Sequence, residues 1–282
     1  MGYRSILTVA TRADSVAPVI ATASAFAQRE DAHLEVLALG LDRSQLGYYA
    51  LSGSDAMIHI SQDEAEEDAR RISAAARAAL EAEDPALRWT VEGGVAQMGS
   101  LPTLVASRAR FADLVIMPRP YGETLGPVDE AAVEAAMFEG QAPILVLPDT
   151  PIDGANIGRR VAVAWNQSRE ALVAIRRALP LLIAAAKVDI VIVDPPTHGP
   201  EKTDPGGMLS QMLARHGVRV EVSVLAKTMP KVSEVLSRHV TETGADLLVM
   251  GAYGHSRFRQ AILGGATRSM LEQAAFPVLM AH

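Results

Sequence analysis

The feature that most constrains this chain is that it repeats itself. Ala112-Asp-Leu-Val-Ile-Met117 returns as Ala245-Asp-Leu-Leu-Val-Met250 at an offset of 133, and Pro143-Ile-Leu-Val-Leu147 returns as Pro277-Val-Leu-Met280 at an offset of 134. Val9-Ala10, in the first apolar run, answers Val163-Ala164 at an offset of 154. Duplication of a whole domain accounts for all three pairs. With 282 residues, the chain has the length of two domains, read as 1–150 and 151–282. The larger offset leaves about 21 extra residues in the first half, placed at Gly47 to Gln62 as a loop or helix extension. Between the halves, Asp149 to Gly158 is rich in Pro, Gly and Asn and reads as a short linker.

Within each half, short apolar runs alternate with helical periodicity. The second half predicts strands at Arg160 to Trp165, Asp189 to Asp194, Arg219 to Leu225, Leu247 to Gly251 and Val278 to Ala281. Helices are expected at Ser168 to Ala185, Gly207 to His216, Val232 to Thr243 and Gly265 to Ala274. The first half predicts strands at Ser5 to Ala10, Leu34 to Leu39, Trp89 to Glu92, Leu114 to Met117 and Ile144 to Leu147, with a long helix from Asp63 to Glu83. The strands are Val, Ile and Leu rich with weak alternation, as strands covered on both faces are. The fold class is therefore α/β: two tandem doubly wound parallel five-stranded sheets.

Composition narrows the function. A hydrophobic share of 49% with 21% charged residues is globular. A net charge of −7 and an aromatic content of 4% give neither a basic surface nor stacking platforms, so polymeric nucleic acid is not an expected partner. The absence of cysteine removes disulfides and thiolate chemistry, which fits a cytoplasmic address. No apolar run reaches the roughly 20 residues that span a bilayer, so no membrane partner is expected.

The stretch after the fourth strand of the second half carries the chemistry. In Gly251-Ala-Tyr-Gly254-His-Ser-Arg-Phe-Arg-Gln-Ala-Ile-Leu-Gly264-Gly265-Ala-Thr267, Gly251 and Gly254 permit positive φ and close approach to a bound group. Gly264 and Gly265 open the last helix, whose free N–H groups, together with the Thr267 hydroxyl, are positioned to receive a phosphate. His255, Arg257, Arg259 and Arg268 add positive charge, and the stretch holds no carboxylate. Open parallel sheets gather ligands at the carboxyl ends of their strands, where this loop falls.

Gly, two residues, Gly, nine residues, Gly is similar to the nucleotide-binding pattern of the universal stress protein family, in which Ser or Thr follows. Gly251, Gly254 and Gly264 match, while Gly265 stands at the Ser or Thr position with Thr267 close behind. The resemblance covers the second half and, more weakly, the first, and tandem members are known. It implies that the adenine and ribose lie against the ends of the first two strands, here Ala164-Trp165-Asn166 and Val193-Asp194. Asn166 replaces the usual Asp and keeps an acceptor for a ribose hydroxyl without the charge. ATP, ADP or AMP is the implied ligand, with Mg accompanying the nucleotide. Pairing of family members through their last strands implies an internal pseudo-dimer of the two halves through Ile144 to Leu147 and Val278 to Ala281, with homodimerisation a further option.

The first half has lost the pattern. Pro118-Arg-Pro-Tyr121 replaces the first two glycines, and Glu130 stands opposite Gly264, where a carboxylate repels phosphate. The first half is therefore read as a degenerate domain that does not bind ATP in the family manner. No Gly-x-Gly-x-x-Gly follows either first strand, and neither a P-loop nor a Gly-x-Ser-x-Gly elbow occurs. The seven histidines show no i, i+4 pair, so no metal site is expected. No catalytic set is evident either. Asp194 and His255 are the candidates to assist at most slow ATP hydrolysis. Two functions are carried forward: a stress-response binding or signalling module holding an adenine nucleotide, and an enzyme acting on a small phosphorylated or nucleotide substrate in the same cleft. A scaffold that binds no nucleotide is the third.

Overall fold

The apolar runs become strands, the central ones buried beneath helices and the outer ones, Arg88–Gln97 and Val220–Leu225, largely uncovered. A computed structural model describes residues 2–44, 55–122, 126–195, 204–253 and 265–282, with backbone alone for 55–59. The first half runs β1 (Ser5–Ala10), α1 (Val16–Glu30), β2 (His33–Asp42), α2 (Asp55–Glu81), β3 (Arg88–Gln97), α3 (Leu101–Ala109), β4 (Leu114–Pro118), α4 (Pro127–Phe138) and β5 (Ile144–Leu147). The second runs β6 (Arg160–Ala164), α5 (Arg169–Arg177), α6 (Leu179–Ala184), β7 (Lys187–Val193), α7 (Gly207–Arg215), β8 (Val220–Leu225), α8 (Val232–Thr243), β9 (Leu247–Gly251), α9 (Ala266–Gln273) and β10 (Val278–Ala281).

Strand order is β3-β2-β1-β4-β5 in the first half and β8-β7-β6-β9-β10 in the second, which is one topology used twice. The pairings β1 with β2 and β4, β2 with β3, β6 with β7 and β9, β7 with β8, and β9 with β10 are all parallel. Contacts divide the chain into two compact units, Tyr3–Ile144 with Pro151–Ala155, and Asn156–His282 with Leu145–Thr150. Ile6, Leu34 and Leu114 fill one core; Val163, Ile190 and Leu248 fill the other, each wholly buried. Among the described residues no helix is long and apolar enough to cross a membrane.

Three boundaries differ from the sequence expectation, each for a local reason. Strand β3 runs on through Gly93 and Gly94, because a Cβ there would press Ser73 on one side and Leu104 and Leu37 on the other. The helix expected from Ser168 to Ala185 is split by Pro180, which lacks the N–H that a continuous helix needs. Helix α2 starts at Asp55 and has 27 residues against 9 in its counterpart α7, so part of the extra length of the first half is helical. Of the insertion expected at Gly47 to Gln62, residues 47–54 lie outside the described residues.

The repeated Ala-Asp pair is structural. Asp113 accepts the backbone N–H groups of Arg4 and Ser5, and Asp246 accepts those of Gly158, Arg159 and Arg160. Each carboxylate therefore clamps the start of the first strand to the start of the fourth, at the amino end of its sheet. Burial raises the Asp246 carboxyl above the ordinary range, and the three N–H groups oppose the rise. The segment after β5 is held too: the Thr22 hydroxyl donates to the Ile152 carbonyl at 2.8 Å, and a Cβ on Gly154 would strike the Thr22 carbonyl.

At the far end of β2, the buried Asp42 joins strands to α2. Its carboxylate accepts from the Ser44 N–H at 2.9 Å, the Ser61 hydroxyl at 2.7 Å and the Gln97 amide at 3.1 Å. Burial alone would raise this group, but these donors outweigh it and hold the carboxyl down at about 2, against an ordinary value of 3.8. A depressed folded-state value stabilises the fold above the ordinary value and is lost as pH falls through it toward 2. Urea unfolding from about pH 5 down to about pH 2 is expected to show a steeper stability loss for the wild type than for Asp42→Asn. Equal slopes would contradict this account of Asp42.

Candidate functional site

Parallel strands of the second half end together, and their carboxyl ends enclose a cleft. It is lined by Ala164, Trp165 and Asn166 after β6, Val191 and Val193 of β7, Val232 and Leu236 of α8, Met250 and Gly251 of β9, and Ala266 at the first turn of α9. Its cavity volume is about 90 Å3. Five of the residues singled out from the sequence, drawn from three strands, thus meet at one place: Ala164, Trp165, Asn166, Val193 and Gly251. The remaining lining residues give it an apolar floor suited to a flat ring.

Other expected residues are placed differently. Asp194 follows Val193 with its side chain exposed, and its N–H bonds to the Leu225 carbonyl at 2.9 Å. Gly265 is the N-cap of α9, directly before the cleft residue Ala266. Gly254, His255 and Gly264, and with them Arg257 and Arg259, lie outside the described residues. Arg268 bonds Glu272 of its own helix at 2.7 Å, so its charge is shared within α9.

Three residues of the site have structural work. A Cβ on Gly251 would come within 2.4 Å of the Ala171 backbone nitrogen, so its missing side chain makes room for the first turn of α5 rather than for a ligand. Gly251→Val would therefore damage packing and is no clean test of binding. The Thr267 hydroxyl, 4% exposed, accepts the Tyr253 N–H at 3.1 Å and ties α9 to the exit of β9. The Asn166 carboxamide oxygen accepts the Ser168 N–H at 3.2 Å, and the Ser168 hydroxyl caps α5 by accepting from Ala171 at 3.1 Å.

Backbone strain collects at the same rim. Gln167 after β6, Asp194 after β7 and Tyr253 after β9 have φ of 62°, 51° and 56°. Each is a non-glycine residue in the left-handed region, at a cost of about 1–2 kcal/mol apiece. In the first half the described residues with this property, Asp31 and Gln141, follow helices instead.

The equivalent place in the first half is shut. The Thr11 hydroxyl donates to Asp129 at 2.6 Å, and the other Asp129 oxygen accepts the Gly126 N–H at 3.1 Å, capping α4. Tyr121 donates to Glu130 at 2.6 Å. A cavity of about 20 Å3 remains between Thr8, Ala10, Thr11, Pro118 and Asp129, no more than one water occupies. The sequence pointed to Glu130 as the repelling carboxylate; Asp129, one residue earlier, is the one that fills the crevice.

Val232, Leu236 and Met250 escaped the sequence reading as site residues. An i, i+4 apolar pair on a helix looks like core, and its place beside the strand exits is not marked in the sequence.

A five-stranded doubly wound domain with a cleft at its strand exits defines the class. Residues 158–282 match the model of the Universal stress protein family. A universal stress protein of Synechocystis sp. is 32% identical over 98 residues, which are 35% of this chain and 33% of that protein, so the match spans about a third of the relative. A universal stress protein from Archaeoglobus fulgidus shares the fold over 98% of this chain and 96% of its own, with a TM-score of 0.70 at 16% identity. A protein of unknown function from Pseudomonas aeruginosa PAO1 does so over 99% and 92%, with a TM-score of 0.55 at 14% identity.

The strained rim makes a quantitative expectation. Gln167→Gly removes a Cβ from a left-handed position, and urea unfolding should show a gain of about 0.5–1 kcal/mol after the added entropy of glycine in the unfolded chain. A loss of stability would mean that the Gln167 side chain contributes contacts outweighing the strain.

Proposed function

We propose that the second half binds an adenine nucleotide, ATP or a close relative, and that occupancy alters the contacts this protein makes with partners. The carrying observation is that residues from the ends of β6, β7 and β9 converge on one cleft whose rim includes the start of α9. Adenine suits the apolar floor of Val191, Val193, Val232, Leu236 and Met250. The exposed Asn166 amide is available to ribose hydroxyls, and the N–H groups at the start of α9 favour phosphates, whose charge Mg would share. None of the described residues lining the cleft has a titratable side chain.

Calorimetric titration of the full chain with Mg and ATP tests the reading. Saturable binding is expected, with ATP recovered intact after prolonged incubation. Ala266→Leu, a helix-compatible substitution that fills the cleft, should weaken binding by about tenfold or more, which is about 1.4 kcal/mol, while the melting temperature stays within a few degrees. No saturable binding by the wild type, or equal binding by the variant, would refute the site.

A further inference from the structure

Below the cleft, on the same face of the second sheet, lies a part-buried polar group of three. Asp189 of β7 is 9% exposed, and its Oδ2 lies 2.6 Å from His239 Nε2 of α8 and accepts the Ser223 hydroxyl of β8 at 3.0 Å. Since an ionised carboxylate only accepts, His239 Nε2 carries the hydrogen. Ser223 and His239 both address the carboxylate and not each other, so this is no Ser-His-Asp relay. The other carboxylate oxygen, Oδ1, is buried with no hydrogen-bond partner among the described residues.

Position gives this group its meaning. Side chains of a strand alternate, so Asp189, Val191 and Val193 point to one face, and the last two line the cleft. On α8, Leu236 and Val232 line the cleft one and two turns before His239. Asp189 thus sits about 7 Å upstream of Val191, under the same helix that walls the cleft. The apolar contacts of Val235, Leu236 and Val240 hold α8 down but do not fix its register, because burial is not directional. A short hydrogen bond is. Helix α8 also meets α9, with Ser237 Oγ 3.8 Å from Met270 Sδ, and α9 carries the cleft residue Ala266.

We propose that the Ser223, Asp189 and His239 network is the pin that sets the register of α8 and hence the width of the cleft, so that Asp189 and His239 are positioning residues for its ligand. The ligand part rests on the nucleotide reading above. With Oδ1 already without a partner among the described residues, loss of the His239 donor leaves the carboxylate with the Ser223 hydroxyl alone, and α8 loses this directional tie to β7.

The test compares His239→Leu, His239→Gln and Ser223→Ala in the full chain, on a Trp89→Phe background that leaves Trp165 as the only tryptophan. Hydrogen exchange of amides 232–243 and iodide quenching of Trp165 are read without ligand, and ATP affinity with Mg is read by calorimetry. His239→Leu should speed α8 exchange about tenfold, expose Trp165 and weaken ATP about tenfold, and His239→Gln, which keeps a donor, should recover most of each loss. Ser223→Ala should show a smaller change of the same sign, and it and His239→Gln decide the matter if His239→Leu does not fold. Unchanged α8 exchange and Trp165 quenching, or equal losses in the Leu and Gln variants, would overturn the pin. A wild type that fails to bind ATP would refute the nucleotide reading alone, because exchange and quenching still judge the pin.

Discussion

Covering both faces of a parallel sheet leaves the chain few places to meet a ligand. Once helices cover the central strands of each half, a polar group along them needs a partner, as Asp189 has in His239 and Ser223, and room for a ligand falls at the strand ends. At the amino ends, Asp113 and Asp246 satisfy the first backbone N–H groups and lock each sheet. The carboxyl ends of the second half border the cleft.

The two halves use that freedom in opposite ways. In the first, Asp129 turns inward, caps α4, receives Thr11 and leaves room for a single water. The corresponding helix of the second half begins with Gly265 and Ala266, which have no side chain able to reach across, and a cleft remains among the described residues. Among the described residues, the left-handed non-glycine residues of the second half follow β6, β7 and β9, and those of the first half follow helices.

Much of the fold was legible because its signals are local or periodic. The duplicated Ala-Asp-Leu and Pro-apolar segments announced the repeat, and apolar runs placed all ten described strands to within a few residues, apart from the extension of β3 beyond Glu92. That extension was hidden because Gly93 and Gly94 look like a turn until α2 and Leu104 are seen pressed against them. In the site, the strand-end residues Ala164, Trp165, Asn166, Val193 and Gly251 were found, since topology alone sends them to one edge. What Gly251 and Thr267 do there was not, because their partners, Ala171 and Tyr253, are known only from packing. Asp189 and His239 lie 50 residues apart and obey no motif. Only the register of β7 under α8 brings them together.

Chemical analysis of the small molecules released when the purified full-length protein is denatured tests the central claim most directly. An open, apolar-floored cleft beside the start of α9 should carry an adenine nucleotide in amounts approaching one per chain after the protein is loaded with ATP and desalted, and Ala266→Leu should release almost none. Release of no nucleotide by the loaded wild type, or of equal amounts by both proteins, would contradict the account.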